Sequence, residues 1–161
     1  MYPDFKELLS TLNAHRVKYL IVGGYAVGFH AQPRATKDLD ILIRPDEHNA
    51  TAVYEALTEF GAPLQDLTPH DFLDPGGFYR MGNAPVMIEI LPKIDGVEFD
   101  DAWRRKVEIV VDKQTGLTSF LLSRPDLITA KLAAGRPQDL ADVDAIRRAE
   151  KAQLSSDKRS T

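Results

Sequence analysis

Asp38 and Asp40 stand one residue apart in an otherwise apolar run, Asp38-Leu39-Asp40-Ile41-Leu42-Ile43. In a strand, the two-residue period turns both carboxylates to one face. Side by side at the edge of a core they repel each other and lose hydration, and a cation between them would relieve both costs. Oxygen donors of this kind suit Mg²⁺. A third acid, Glu89, interrupts a second apolar run, Val86-Met87-Ile88-Glu89-Ile90-Leu91, where it is expensive unless paired or metal-bound. If the two strands are neighbours, three carboxylates converge, as two-metal phosphoryl or nucleotidyl transfer requires. Asp38 and Asp40 would then bridge two Mg²⁺ ions. Glu89 would complete the nucleophile-side site and accept the proton of an attacking hydroxyl.

A phosphate-binding half accompanies the acids. Tyr19-Leu20-Ile21-Val22 leads into Gly23-Gly24. Glycine lets backbone amides approach a phosphate closely, and a following helix would add its positive N-terminus. Arg34-Ala35-Thr36-Lys37 puts two cations and a hydroxyl just ahead of Asp38. Lys131 lies among apolar neighbours in Leu127-Ile128-Thr129-Ala130-Lys131-Leu132, which would turn its ammonium inward toward a phosphate. Arg136 and Asp139 follow close by. Together these residues point to a nucleoside triphosphate, ATP among the candidates.

The elements that must position these groups can be read from periodicity. Phe5, Leu8, Leu9 and Leu12 mark an amphipathic helix. A strand over 18–22, the glycine turn and a short helix over 25–32 follow, then a strand over 38–44. Asp46 caps a helix over 47–60 that stops at Gly61. Residues 62–77 are loop-like, and strands over 78–81 and 86–91 flank Gly82-Asn83. A β-branched run covers 107–111. Ser123 or Pro125 opens a helix that Gly135 ends, and Pro137 starts a last helix to about residue 152. This order gives an α/β (α+β) domain, a small mixed sheet flanked by helices with a helical C-terminal end. One domain would span residues 1–152, with 153–161 as a polar, disordered tail.

At 161 residues, 43% hydrophobic and 27% charged, the chain reads as one globular domain. It has no cysteine, which excludes disulfides and thiolate metal sites. No leader or membrane-spanning segment is expected, so the expected setting is cytoplasmic, without membrane contact. A net charge of −4 argues against strong nonspecific nucleic-acid binding but allows a local basic groove.

Plainer roles compete for each residue. Asp-x-Asp alone is more often a solvated strand end, and Gly23-Gly24 alone a tight turn. Glu89 has Arg34 and Arg80 as possible ion-pair partners. Lys131 could snorkel to solvent, and Arg136 and Asp139 could simply pair and cap a helix. Arg104-Arg105-Lys106 reads as a solvated helix face over Trp103, and Asp66, Asp71 and Asp74 near Phe72 as a solvated loop. The four histidines lack metal-ligand spacing, and His30 reads as a partly buried structural residue.

Taken together, Gly23-Gly24, thirteen residues, Asp38-Leu39-Asp40 and a lone acid on a later strand resemble the nucleotidyltransferase superfamily with the DNA-polymerase-β-like core. Within it, Gly-Gly-Tyr-Ala-Val, the 34–40 segment and the 126–143 segment resemble small bacterial nucleotidyltransferases of the AbiEii and MenA toxin type. The resemblance implies Mg²⁺-dependent transfer of a nucleoside monophosphate from an NTP to a hydroxyl of tRNA or other RNA, a protein or a small molecule. It also implies a toxin–antitoxin setting, with a helical antitoxin from a neighbouring gene, or a second copy in a homodimer, as partner. Two positions depart from the widespread pattern: Gly24 stands where serine is common, and Glu89 where aspartate is. Both departures suit an alternative, a nucleotide- or partner-binding module with the same fold and weak or lost catalysis.

Overall fold

In the computed structural model, which describes residues 1–33 and 35–160, a six-stranded mixed sheet is flanked by helices. The elements run α1 (Pro3–Ala14), β1 (Tyr19–Val22), α2 (Gly23–His30), β2 (Asp38–Ile43), α3 (Glu47–Phe60), a 3₁₀ helix (Pro69–Leu73), β3 (Tyr79–Asn83), β4 (Val86–Leu91), α4 (Phe99–Arg104), β5 (Val107–Asp112), β6 (Leu117–Leu121), α5 (Arg124–Ala134) and α6 (Pro137–Arg159). The strand order is β3-β4-β2-β1-β6-β5. β1 is antiparallel to β2 and parallel to β6; β4 is parallel to β2 and antiparallel to β3.

β1 is buried along its whole length, as a strand covered on both faces should be. Its neighbour β2 is buried from Ile41 onward and opens to solvent only at its acidic start. α1 packs with α3, and α2 with α5, α6 and the two central strands. Asn49, buried on α3, ties the group together. Its Oδ1 accepts from the Lys18 amide at 2.8 Å, and its Nδ2 donates to the carbonyls of Lys18 and Arg44 at 3.0 and 2.9 Å. The start of β1 and the end of β2 are thereby fixed to one helix. Asp46 caps α3 through the Asn49 amide, and Gly61 ends it at φ 90°.

Several expectations change. α2 begins at Gly23, so the glycine pair is the helix's first turn rather than a turn before it. The 62–77 stretch contains the 3₁₀ helix, whose Phe72 is buried edge-to-face on Tyr79. Asp71 caps Thr68 and Asp74 accepts from the Gly76 amide, so these acids form turns. β6 had no counterpart in the sequence, and α4 was anticipated only as a helix face at its end, around Trp103 and Arg104. The 153–161 tail is helical to Arg159, because α6 continues past residue 152. The basic run is largely solvated over Trp103, as expected, with Arg104 and Arg105 exposed. Arg105 forks onto Asp126 at 3.0 and 2.9 Å, Arg104 meets Asp101, and Lys106 lies 4.2 Å from the Trp103 ring centroid. No helix among the described residues is long and apolar enough to cross a membrane.

Candidate active site

Strand register brings the three acids together. Asp40 on β2 is the direct partner of Glu89 on β4, and Asp38 is the partner of Met87 two positions away. Directly opposed residues share a face, so Asp40 and Glu89 are neighbours, with Asp38 on the same side. The row continues to Arg80 on β3, the partner of Glu89. The Arg80–Glu89 ion pair is long, 3.5 Å, and half exposed on the arginine side. It is a weak surface pair and leaves Glu89 available.

Gly23 meets the acids from the other side. It has φ +67°, and a Cβ there would collide with the Asp40 carboxylate. Here glycine is required twice, by backbone conformation and by the close approach of an acid. Val22 is the register partner of Asp40, so the start of α2 abuts the acidic end of β2.

These residues line one cleft of about 700 Å³, a size typical of small-molecule sites. Gly23, Gly24, Asp38, Asp40 and Glu89 lie on one side. Leu127, Ala130, Lys131 and Ala134 form a face of α5 at helical spacing on another. The loop after β4 adds Lys93, Ile94 and Asp95. α5 is held in place by Ser123, which accepts from the Asp126 amide and donates to the Asp126 carboxylate at 2.9 Å. His30 is buried and hydrogen-bonds the Leu122 carbonyl at 2.7 Å, tying the end of α2 to the segment leading into α5. Burial holds its pKa below the ordinary histidine value. It is a structural residue, as expected from the sequence.

Asp40 is the electrostatic centre. Burial, then the charges of Glu89 and Asp38, and a hydrogen bond with Glu89, push its pKa up to about 6; Lys131 opposes the shift. Two carboxylates side by side on one sheet face make the charged form of Asp40 costly.

Lys131 points inward, as expected, yet it is not free. Its ammonium lies 3.3 Å from Asp139 and 3.0 Å from Asp142, both nearly fully buried on α6. Arg136 donates from Nε to Asp139 at 2.7 Å and forms the capping box that starts α6. Arg136 and Asp139 therefore pair and cap, and they also line the cleft. Thr36 uses its hydroxyl on the backbone of Asp38, at 3.3 and 3.4 Å. Lys37 is exposed and its carbonyl accepts from Met87. Neither residue lines the cleft. Arg34 lies outside the described residues.

Sequence reasoning missed Lys93, Asp95 and Asp142; it named Asp139 but not as a partner of Lys131. Asp142 carried a signal: with Asp139 it falls at helical spacing on the same face as Val143 and Ile146, the buried stripe of α6. Lys93 and Asp95 carried none.

Among the described residues, the cleft lining has five carboxylates (Asp38, Asp40, Glu89, Asp95 and Asp139) against three cations (Lys93, Lys131 and Arg136). An NTP would be repelled by this balance, and a divalent cation would be attracted. The donor chemistry fits Mg²⁺, all carboxylate oxygen on rigid strands. Among the same residues, however, no group of three His, Asp or Glu side chains stands ready to hold a metal ion. Holding a cation there would require the Asp38, Asp40 and Glu89 carboxylates to draw closer together than they stand.

Residues 4–154 match the family described as "Nucleotidyltransferase of unknown function (DUF6036)". No curated protein matches the chain.

Proposed function

The chain belongs to this family of nucleotidyltransferases, and from that premise we propose that it moves a nucleoside monophosphate from an NTP to an acceptor hydroxyl in the cleft between β2, β4 and α5. The observation that carries this reading is the Asp40–Glu89 register pair, with Asp38 on the same face and Gly23 pressed against Asp40.

Asp38, Asp40 and Glu89 would hold two Mg²⁺ ions. When bound, Mg²⁺ neutralises the triphosphate and lowers the pKa of the attacking hydroxyl. The hydroxyl oxygen bonds to the α-phosphorus as the bond to the bridging oxygen of the β-phosphate breaks, and pyrophosphate leaves. Glu89 takes the hydroxyl proton; its register position opposite Asp40 places it at the acidic edge of the cleft. The amides at Gly23-Gly24, opening α2, face phosphate oxygens, and the partial positive charge of the helix start favours them. Leu127, Ala130, Ala134 and Ile94 give the base an aliphatic wall and exclude water from that side.

The acceptor is an RNA (tRNA among the candidates), a protein or a small molecule, and the biological setting is a toxin–antitoxin pair with a helical partner. The likeness of the 34–40 and 126–143 segments to the toxin type supports this part of the reading. The test is incubation with each α-labelled NTP, Mg²⁺ and total RNA or protein. Label should enter an acceptor in a Mg²⁺-dependent way, and Asp38→Ala or Asp40→Ala should abolish it.

One observation favours a second reading, a module that binds nucleotide without turnover: no three acids are gathered to hold a metal among the described residues. That reading expects NTP-dependent thermal stabilisation with no labelled product.

A further inference from the structure

We propose that Lys93, rather than Lys131, is the cation that meets the triphosphate; this rests on the nucleotidyl-transfer reading of the cleft. Among the described residues lining the cleft, Lys93 is the one cation outside an ion pair. Lys131 is shared between two buried aspartates and Arg136 is engaged by Asp139. Recruiting Lys131 to a phosphate would take its charge from two buried aspartates, a costly exchange, and Arg136 is already engaged by the capping box that starts α6. Lys93 is exposed and recruits at no such cost.

The loop that carries Lys93 is braced rather than loose. It leaves the end of β4, the strand of Glu89, after Leu91 and Pro92. Ile94 and Val97 form an antiparallel bridge across its turn. Gly96, at φ +78°, lies so close to α5 that a Cβ would stand 2.8 Å from the Ala133 Cβ and 3.3 Å from the Thr129 carbonyl. The loop is thus clamped between β4 and α5, the two elements that carry Glu89 and Lys131. Lys93 is held at the cleft while its long side chain stays adaptable, which suits a point-charge contact to a phosphate. Its charge also offsets part of the acidic excess of the lining, the main obstacle to NTP entry.

The test is equilibrium binding of α,β-imido analogues of the four NTPs with Mg²⁺, beside the corresponding NMPs, to wild type, Lys93→Ala and Lys93→Arg. Lys93→Ala should weaken NTP binding about tenfold and leave NMP binding unchanged, since a charge-assisted contact to the β- or γ-phosphate is what is lost. Lys93→Arg should restore most of the NTP affinity, and Lys93→Ala should keep the wild-type Tm. Wild-type NTP affinity in Lys93→Ala overturns the proposal and leaves the cleft reading standing. Equal loss for NTP and NMP also overturns it. If wild type binds no NTP, the cleft reading falls, and the proposal with it.

Discussion

Gly23 and Asp40 occupy one small space: the positive φ of the glycine turns its missing side chain toward the Asp40 carboxylate. The first residue of α2 and the acid of β2 are therefore fitted to each other. Gly23→Ala would force an L residue into the left-handed region, a cost of about 1–2 kcal/mol, and push the carboxylate aside. We expect a lower Tm and a loss of transfer of at least about 100-fold, since displacement by an ångström suffices for that. Retained activity in Gly23→Ala would show that the position of Asp40 does not matter to the chemistry.

Asp40 gives a pH prediction with a definite sign. Its pKa rises from 3.8 to about 6 in the folded protein, so the fold binds this proton more tightly than the unfolded chain does. The carboxyl costs no stability below the unfolded value. It becomes destabilising as pH climbs through that window, and the full cost is present above about 6. The ceiling is about 3 kcal/mol from the size of the shift, reduced by solvent screening at a part-exposed site. Asp40→Asn should raise Tm at pH 8 and leave it unchanged near pH 3. Mg²⁺ should raise the wild-type Tm more at pH 8 than at pH 5. Thermal melts across pH decide both, and a Tm gain in Asp40→Asn that is the same at every pH would contradict the assignment.

Lys131 and Arg136 both contact Asp139, but they should behave differently. Lys131→Met leaves Asp139 and Asp142 buried with less compensation, and we expect about 3–5 kcal/mol of destabilisation by denaturant unfolding. Arg136 is three-quarters exposed, and Arg136→Ala should cost about 1 kcal/mol or less. Arg136 also holds the Asp139 carboxyl below the usual carboxylate range, first through its hydrogen bond. The corresponding stability is present above the ordinary aspartate value and fades as pH falls toward the depressed one.

Asn49 separates folding from chemistry. Asn49→Ala removes three part-buried hydrogen bonds that join α3 to the ends of β1 and β2, at a cost of about 2–3 kcal/mol. Its effect should appear in Tm, while kcat at a temperature well below Tm stays near wild type. A large kcat loss would mean that the far ends of the strands control the acids.

The acids were legible in the sequence because a charge inside an apolar run is conspicuous, and β2 and β4 appeared close to their expected bounds. The helix stops at Gly61 and Gly135 were equally plain, since both glycines adopt left-handed backbone. β6 was missed because Leu117-Thr118-Ser119-Phe120-Leu121 lacks a clean alternation; its place is set by pairing with β1 and β5. α6 runs on because Ala, Glu, Lys, Gln and Leu sustain a helix even without burial. The partners of Lys131 come from another helix, and no spacing rule specifies which acids meet it. Lys93 gained meaning only from the loop that Gly96 lays against α5.

The central claim is that Asp38, Asp40 and Glu89 act together on an NTP. Transfer of label from α-labelled NTPs, measured with Mg²⁺ for wild type, Asp38→Asn, Asp40→Asn and Glu89→Gln, tests it most directly. We expect wild-type transfer, at least about 1,000-fold less in either aspartate variant, at least about 100-fold less in Glu89→Gln, and none in EDTA. Transfer that persists at the wild-type rate in the folded aspartate variants would contradict the account.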